Sequence, residues 1–99
     1  MSASGEIRET LRIASSHASL PGHFPGHPIV PGVLLLDRIE AALERAGAGR
    51  FARIGAVKFV APLAPDQDAD LVVAWEGARV RFRVERDGAP VLRGEGEIA

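Results

Sequence analysis

The sequence predicts an α+β domain in which a curved antiparallel sheet of about five strands wraps around one central helix. Three observations predict it. A single long stretch, Gly32 to Ala46, carries apolar residues at helical spacing. The remaining patterned stretches read as strands, with apolar residues alternating in most of them. The last three strands are separated by short turn signals, as in an antiparallel meander. With 99 residues there is room for one core and one domain, and a lone amphipathic helix hides its stripe most economically against the apolar face of such a sheet.

In chain order, Glu6 to Ala14 places Ile7, Glu9, Leu11 and Ile13 on one side and Arg8, Thr10 and Arg12 on the other, which predicts a first strand. Pro21 to Gly32 then holds Pro21, Pro25, Pro28 and Pro31 with Gly22, Gly26 and Gly32. That density forbids both a helix and a ladder strand. Phe24, Ile29 and Val30 in the same segment would bury and lock it, so a shaped loop is predicted rather than a linker. The helix follows, with Leu36, Ile39, Leu43 and Ala46 as its stripe and Leu35 and Ala42 widening it. Its first turn is almost wholly apolar and predicts a deeply buried beginning; Gly47-Ala48-Gly49 supplies a glycine C-cap. Strands are predicted at Phe51 to Val60, Ala69 to Trp75, Ala78 to Arg86 and Pro90 to Ile98. Asp87-Gly88 is a two-residue hairpin signal and Glu76-Gly77 a weaker one.

Composition narrows the function. Apolar residues make up 46% and charged residues 25%, with a formal net charge of -1, as in an ordinary globular protein. Eleven of the twelve basic residues are arginine, but acidic residues balance them, which removes long-range attraction for nucleic acid. There is no cysteine, so disulfides and thiolate zinc sites are excluded. Met1 to Glu9 lacks the layout of a signal peptide, and Val33 to Leu36 is far short of the roughly 20 apolar residues of a membrane helix. A cytoplasmic protein without membrane insertion is expected.

The chemistry concentrates in His23-Phe24-Pro25-Gly26-His27-Pro28-Ile29-Val30-Pro31-Gly32-Val33-Leu34-Leu35-Leu36-Asp37. His23 lies in the proline-braced loop, and Asp37 stands roughly one and a half turns into the helix. Aspartate is a poor helix former, and apolar neighbours oppose its charge while the helix N-terminus favours it. Alone, Asp37 could be a structural carboxylate paired with Arg38 or Arg53, and His23 a backbone-bonded loop histidine. His27, four residues after His23, does not make a metal pair, because Pro25, Gly26 and Pro28 prevent the helix that would align the rings. His17 reads as a surface or strand-end residue, and Trp75 and Phe59 as core. Arg79, Arg81 and Arg83 share one strand face, which reads first as a solvated face and second as a patch for an acidic partner or its phosphate.

This segment resembles the active-site motif of the bacterial β-hydroxyacyl carrier-protein dehydratases of the hotdog superfamily, His-Phe-x-Gly-x-Pro-x-x-Pro-Gly followed by an acid in the central helix. His23, Phe24, Gly26, Pro28, Pro31 and Gly32 fall in register, and the fourteen-residue step to Asp37 equals the family's spacing. Lys58-Phe59-Val60-Ala61-Pro62-Leu63-Ala64-Pro65 is similar to the family's strand and turn after the helix.

The resemblance implies a hotdog homodimer with one continuous sheet, in which His23 of one subunit faces Asp37 of the other. It implies removal of water from 3-hydroxyacyl thioesters on the phosphopantetheine of acyl carrier protein, with no other cofactor and no metal. His23 would act as base, Asp37 would orient and protonate the departing hydroxyl, and the Gly32 amide would bond the thioester oxygen at the helix start. Phe24 and Val33 would line the substrate site. Three departures stand out: the acid is aspartate where one branch has glutamate, Ala41 occupies the family's usual glutamine position, and the sequence starts late. The late start implies about five strands and a less enclosed acyl tunnel. The rival readings are a hotdog thioesterase, which would activate water with a carboxylate, and a non-catalytic hotdog subunit that binds acyl carrier protein or completes another dehydratase's dimer.

Overall fold

The structure is a computed structural model that describes residues 4–14 and 29–99. Among the described residues it contains the predicted single helix and five strands: β1 (Ser4–Leu11), α1 (Gly32–Arg45), β2 (Phe51–Phe59), β3 (Ala69–Glu76), β4 (Arg79–Arg86) and β5 (Ala89–Ile98). All pairings are antiparallel, and the strands lie in the order β1-β3-β4-β5-β2. The meander β3-β4-β5 forms the centre, and the two strands flanking the helix in sequence form the edges.

The tight turns follow from local chemistry. Asp87 and Gly88 both take positive φ, 51° and 79°, the backbone that lets a two-residue loop match the twist of β4 and β5. At the end of α1, Gly47 sits at φ 73°, its N–H bonds the Glu44 carbonyl at 3.0 Å, and the Ala48 N–H bonds the Leu43 carbonyl at 3.0 Å. This paired closure satisfies carbonyls that the helix end would otherwise leave open.

The core lies between α1 and one face of the sheet. Leu35, Ile39, Ala42 and Leu43 meet Leu71 and Val73 of β3, Val80, Phe82 and Val84 of β4, and Leu92 and Ile98 of β5, all buried. Each such large side chain contributes roughly 1.5–3 kcal/mol on leaving water. The buried stripe runs on the Leu35 side of the predicted one: Leu36 is only partly buried and Ala46 is exposed. Glu40 ties the helix to the start of β2, its Oε2 accepting the Phe51 N–H at 2.9 Å.

Two expectations are corrected. The first strand begins at Ser4 and leaves the ladder after Leu11, where its partner β3 begins at Ala69. Ile13 is nevertheless buried, and its carbonyl accepts the Asp66 N–H at 2.8 Å. The beginning of α1 is not deeply buried within one chain: Val33 is 62% exposed and Asp37 is exposed, while Leu35 faces the core. Residues 33 and 37 are one turn apart on a helix face that this chain's own sheet does not cover.

Candidate active site

The loop that enters the helix is fastened to the turn after β2. Val30, buried, donates its N–H to the Leu63 carbonyl at 2.8 Å, and Leu63 is itself buried. Val60 and Ala61 donate to the Val91 carbonyl at 2.8 and 3.2 Å, which fixes the end of β2 against β5. The two sequence stretches that carry the family resemblance, far apart in the chain, therefore meet at the start of α1.

Pro31 is the helix N-cap, with no side-chain hydrogen bond to the cap and no acidic residue in the first turn. The leading amides of a helix have no partner within it, and the dipole makes that end attractive to negative charge. Gly32 is the first helical residue, with the Phe59 ring packed on it. A Cβ at position 32 would lie 2.6 Å from Phe59 Cζ and closer still to Cε1. Phe59 is 57% exposed rather than core, a correction of the sequence expectation; Trp75, half-buried against the core and stacked over Gly5, fits it. Phe59 shares its strand face with Val57 and Phe51, which are both partly buried. That parity was the available signal that its ring turns toward the helix.

This contact yields a stability prediction. Gly32→Ala is expected to cost about 1 kcal/mol by overpacking when Phe59 is present and close to nothing in a Phe59→Ala background. Urea unfolding of the four proteins of that cycle measures the coupling, and equal costs in both backgrounds would show that the ring does not set the requirement for glycine.

Asp37 presents its carboxylate beside the Val33 side of the helix, without a hydrogen bond or ion pair to any described residue. Arg53, one of its two possible structural partners, bonds Glu97 at 3.0 Å instead. Asp37, Gly32 and Val33 thus lie on one open end of the helix. His23 and Phe24, with His17 and His27, lie outside the described residues. Ala41 is partly buried one turn after Asp37. Among the described residues no group of histidine, aspartate and glutamate could hold a metal, and no helix is long and apolar enough to cross a membrane.

Comparison with known proteins places this architecture. The family model for ApeI-like dehydratases, described as ApeI dehydratase, matches residues 1–95. The 3-hydroxyacyl-[acyl-carrier-protein] dehydratase FabZ of Thermus thermophilus is 36% identical over 74 residues, 75% of this chain and 44% of that protein. The FabZ of Proteus mirabilis is 31% identical across 94% of this chain and 67% of its own length. The chain thus spans under half of the Thermus relative. Among solved structures, the dehydratase heterocomplex ApeI:P from Xenorhabdus doucetiae superposes with a TM-score of 0.85 at 26% identity, over 95% of this chain and 87% of that one. The five antiparallel strands and single helix are the hotdog fold. By its match over nearly its whole length, the chain belongs to the ApeI-like dehydratase family.

Proposed function

We propose that this protein dehydrates 3-hydroxyacyl thioesters carried on acyl carrier protein, in the cytoplasm, as one half of a dimer whose second chain completes the site. The observation that carries this reading is the open face at the helix start: in a dehydratase-family chain Val33 and Asp37 are exposed on a face that its own sheet does not cover, next to Gly32, on which Phe59 packs. A carboxylic acid that must hand a proton to a leaving hydroxyl, becoming a carboxylate as it does so, works poorly in bulk water, where solvent competes for every charge. A second subunit bringing its His23 loop over this end would both exclude water and supply the base.

In that arrangement His23 takes the proton from the carbon next to the thioester carbonyl. The Gly32 amide holds the carbonyl oxygen as negative charge develops on it, aided by the helix dipole. Asp37 protonates the hydroxyl on the next carbon; the C–O bond breaks, the C=C bond forms, and water leaves. The step is redox-neutral and needs no cofactor beyond the phosphopantetheine that carries the acyl group.

The test is to incubate the purified protein with 3-hydroxybutyryl and longer 3-hydroxyacyl carrier-protein thioesters, following the enoyl product. Its mass in solution is measured by light scattering. A dimer that forms enoyl thioester supports the reading; release of free thiol without enoyl product would identify a thioesterase instead. No dehydration at any chain length removes the enzyme reading for the protein alone. A second reading has its own support: the ApeI neighbour is found in a heterocomplex, and Ala41 stands where the dehydratases usually carry glutamine. In it, this chain pairs with a different dehydratase subunit and contributes only part of a site. A chain inactive alone that acquires turnover on mixing with such a subunit would favour it.

A further inference from the structure

Phe59 stands out in its cross-strand row. It pairs with Leu92 of β5, Leu92 with Val84 of β4, and Val84 with Leu71 of β3, and those three are buried in the core beneath α1. Phe59 belongs to the same face yet is more than half exposed, with one edge of its ring packed on Gly32. An aromatic ring left largely in water forgoes most of the gain of burial, so the stability of the fold does not account for its place. The ring is nonetheless held on both sides. The Val60 and Ala61 N–H groups fix the end of its strand to the Val91 carbonyl, and the Val30–Leu63 hydrogen bond fixes the segment that enters the helix.

Helix geometry defines what the ring borders. At a helical φ near −60° an amide N–H and the Cα–Cβ direction of its residue are eclipsed, which puts the Cβ position about 3.5 Å from an oxygen that accepts that N–H. At Gly32 the ring fills this position, with Cζ 2.6 Å from it and Cε1 nearer. A carbonyl oxygen bound to the Gly32 amide therefore has the edge of Phe59 as its neighbour. C2 of a thioester lies two bonds from that oxygen, about 2.4 Å away, within reach of the same ring.

We propose that Phe59 is a specificity-determining wall, which admits 3-hydroxyacyl thioesters unbranched at C2 and rejects those carrying a 2-methyl group; this rests on the reading above that the Gly32 amide holds the thioester oxygen. Of the two hydrogens on C2, one leaves to the base and the other stays on a carbon that becomes trigonal. The one that stays is the one a 2-methyl group replaces. Because the ring is wedged between a pinned strand and the helix start, a methyl group there has to push the ring aside or pull the oxygen off its amide. Either displacement acts on the transition state, where the hydrogen bond to the oxygen is strongest. Shape alone discriminates one carbon by about 10–200-fold, which sets the size of the expected preference.

The experiment compares kcat/KM for 3-hydroxybutyryl N-acetylcysteamine thioester with kcat/KM for both C2 epimers of its 2-methyl analogue, in wild type, Phe59→Ala and Phe59→Leu. Wild type is expected to prefer the unbranched thioester by about 100-fold, Phe59→Ala by no more than about fivefold, and Phe59→Leu by a factor between the two. The ratio of two substrates on one preparation cancels any loss of folded or active protein, so a merely structural role for Phe59 would lower both rates and leave the ratio where it was. That result would overturn the wall, as would a wild type that turns over branched and unbranched thioesters equally well. A wild type that turns over neither overturns the dehydratase reading instead. The wall is then judged from the dissociation constants of crotonyl and 2-methylcrotonyl N-acetylcysteamine thioesters, measured by ligand-observed NMR: a preference for crotonyl that narrows in Phe59→Ala upholds it, and equal ratios in the two proteins, or no binding of either thioester, overturn it.

Discussion

Asp37→Asn is expected to slow dehydration by about 10²–10⁴-fold while leaving the melting temperature unchanged. The carboxylate is exposed and bonds no described residue, so an isosteric amide removes no contact among the described residues. On the proposed mechanism, what it removes is the transferable proton. Asparagine can still orient the substrate hydroxyl through a hydrogen bond, but it cannot deliver the proton with which hydroxide departs. His23→Ala is expected to fall as far, because abstraction of the proton and expulsion of hydroxyl belong to one reaction path. For the same reason the double variant should lose little more than either single one. Turnover of 3-hydroxybutyryl carrier protein, with circular dichroism melts of the same preparations, checks all three. Full activity in Asp37→Asn would remove the acid from the mechanism, and full activity in His23→Ala would remove the base.

Much of the architecture was legible from local pattern. The helix declared itself by apolar spacing ended by Gly47, and β4 and β5 by alternation around Asp87-Gly88, because in each the energetics are decided within a few residues. What escaped depends on which distant segments meet. Parity along β2 turns the Phe59 ring toward the helix, but that it covers Gly32 in particular depends on the latch between Val30 and Leu63, which no local pattern reveals. The arginines of β4 were visible as one face, but a row of cations across the strands required the pairing of Arg83 with Arg93 and of Arg93 with Lys58, which register shifts along β2 and β4 help to set. The apolar start of α1 predicted a deeply buried beginning, which the single chain does not provide, because periodicity marks an apolar face without saying what that face meets. That His23 faces Asp37 is an expectation of the family resemblance, and His23 lies outside the described residues, which hold only Asp37.

The uncovered start of α1 leads to the second large effect: if a second copy completes the site, Ile54→Glu with Val60→Glu is expected to yield a folded monomer that has lost at least about 100-fold in activity. Strand β2 is the edge of the sheet, nine residues long, and Ile54, Phe59 and Val60 are all exposed in the single chain, at 41%, 57% and 44%. A long apolar edge with unpaired backbone groups invites pairing with another chain. The opposite edge, β1, is guarded by Glu6, Arg8 and Thr10 on its exposed side. If β2 pairs with β2 of a second copy, two five-stranded sheets become one, and new glutamates on that edge bring like charges together at the junction. Were the chain monomeric in its working state, the same substitutions would touch only solvent-facing positions and change stability by about 0.5 kcal/mol or less. Light scattering, thermal melts and turnover on one preparation separate the cases. A variant that stays dimeric and fully active would place the interface elsewhere, whereas a monomer with a native melt and little turnover would locate the second half of the site across β2.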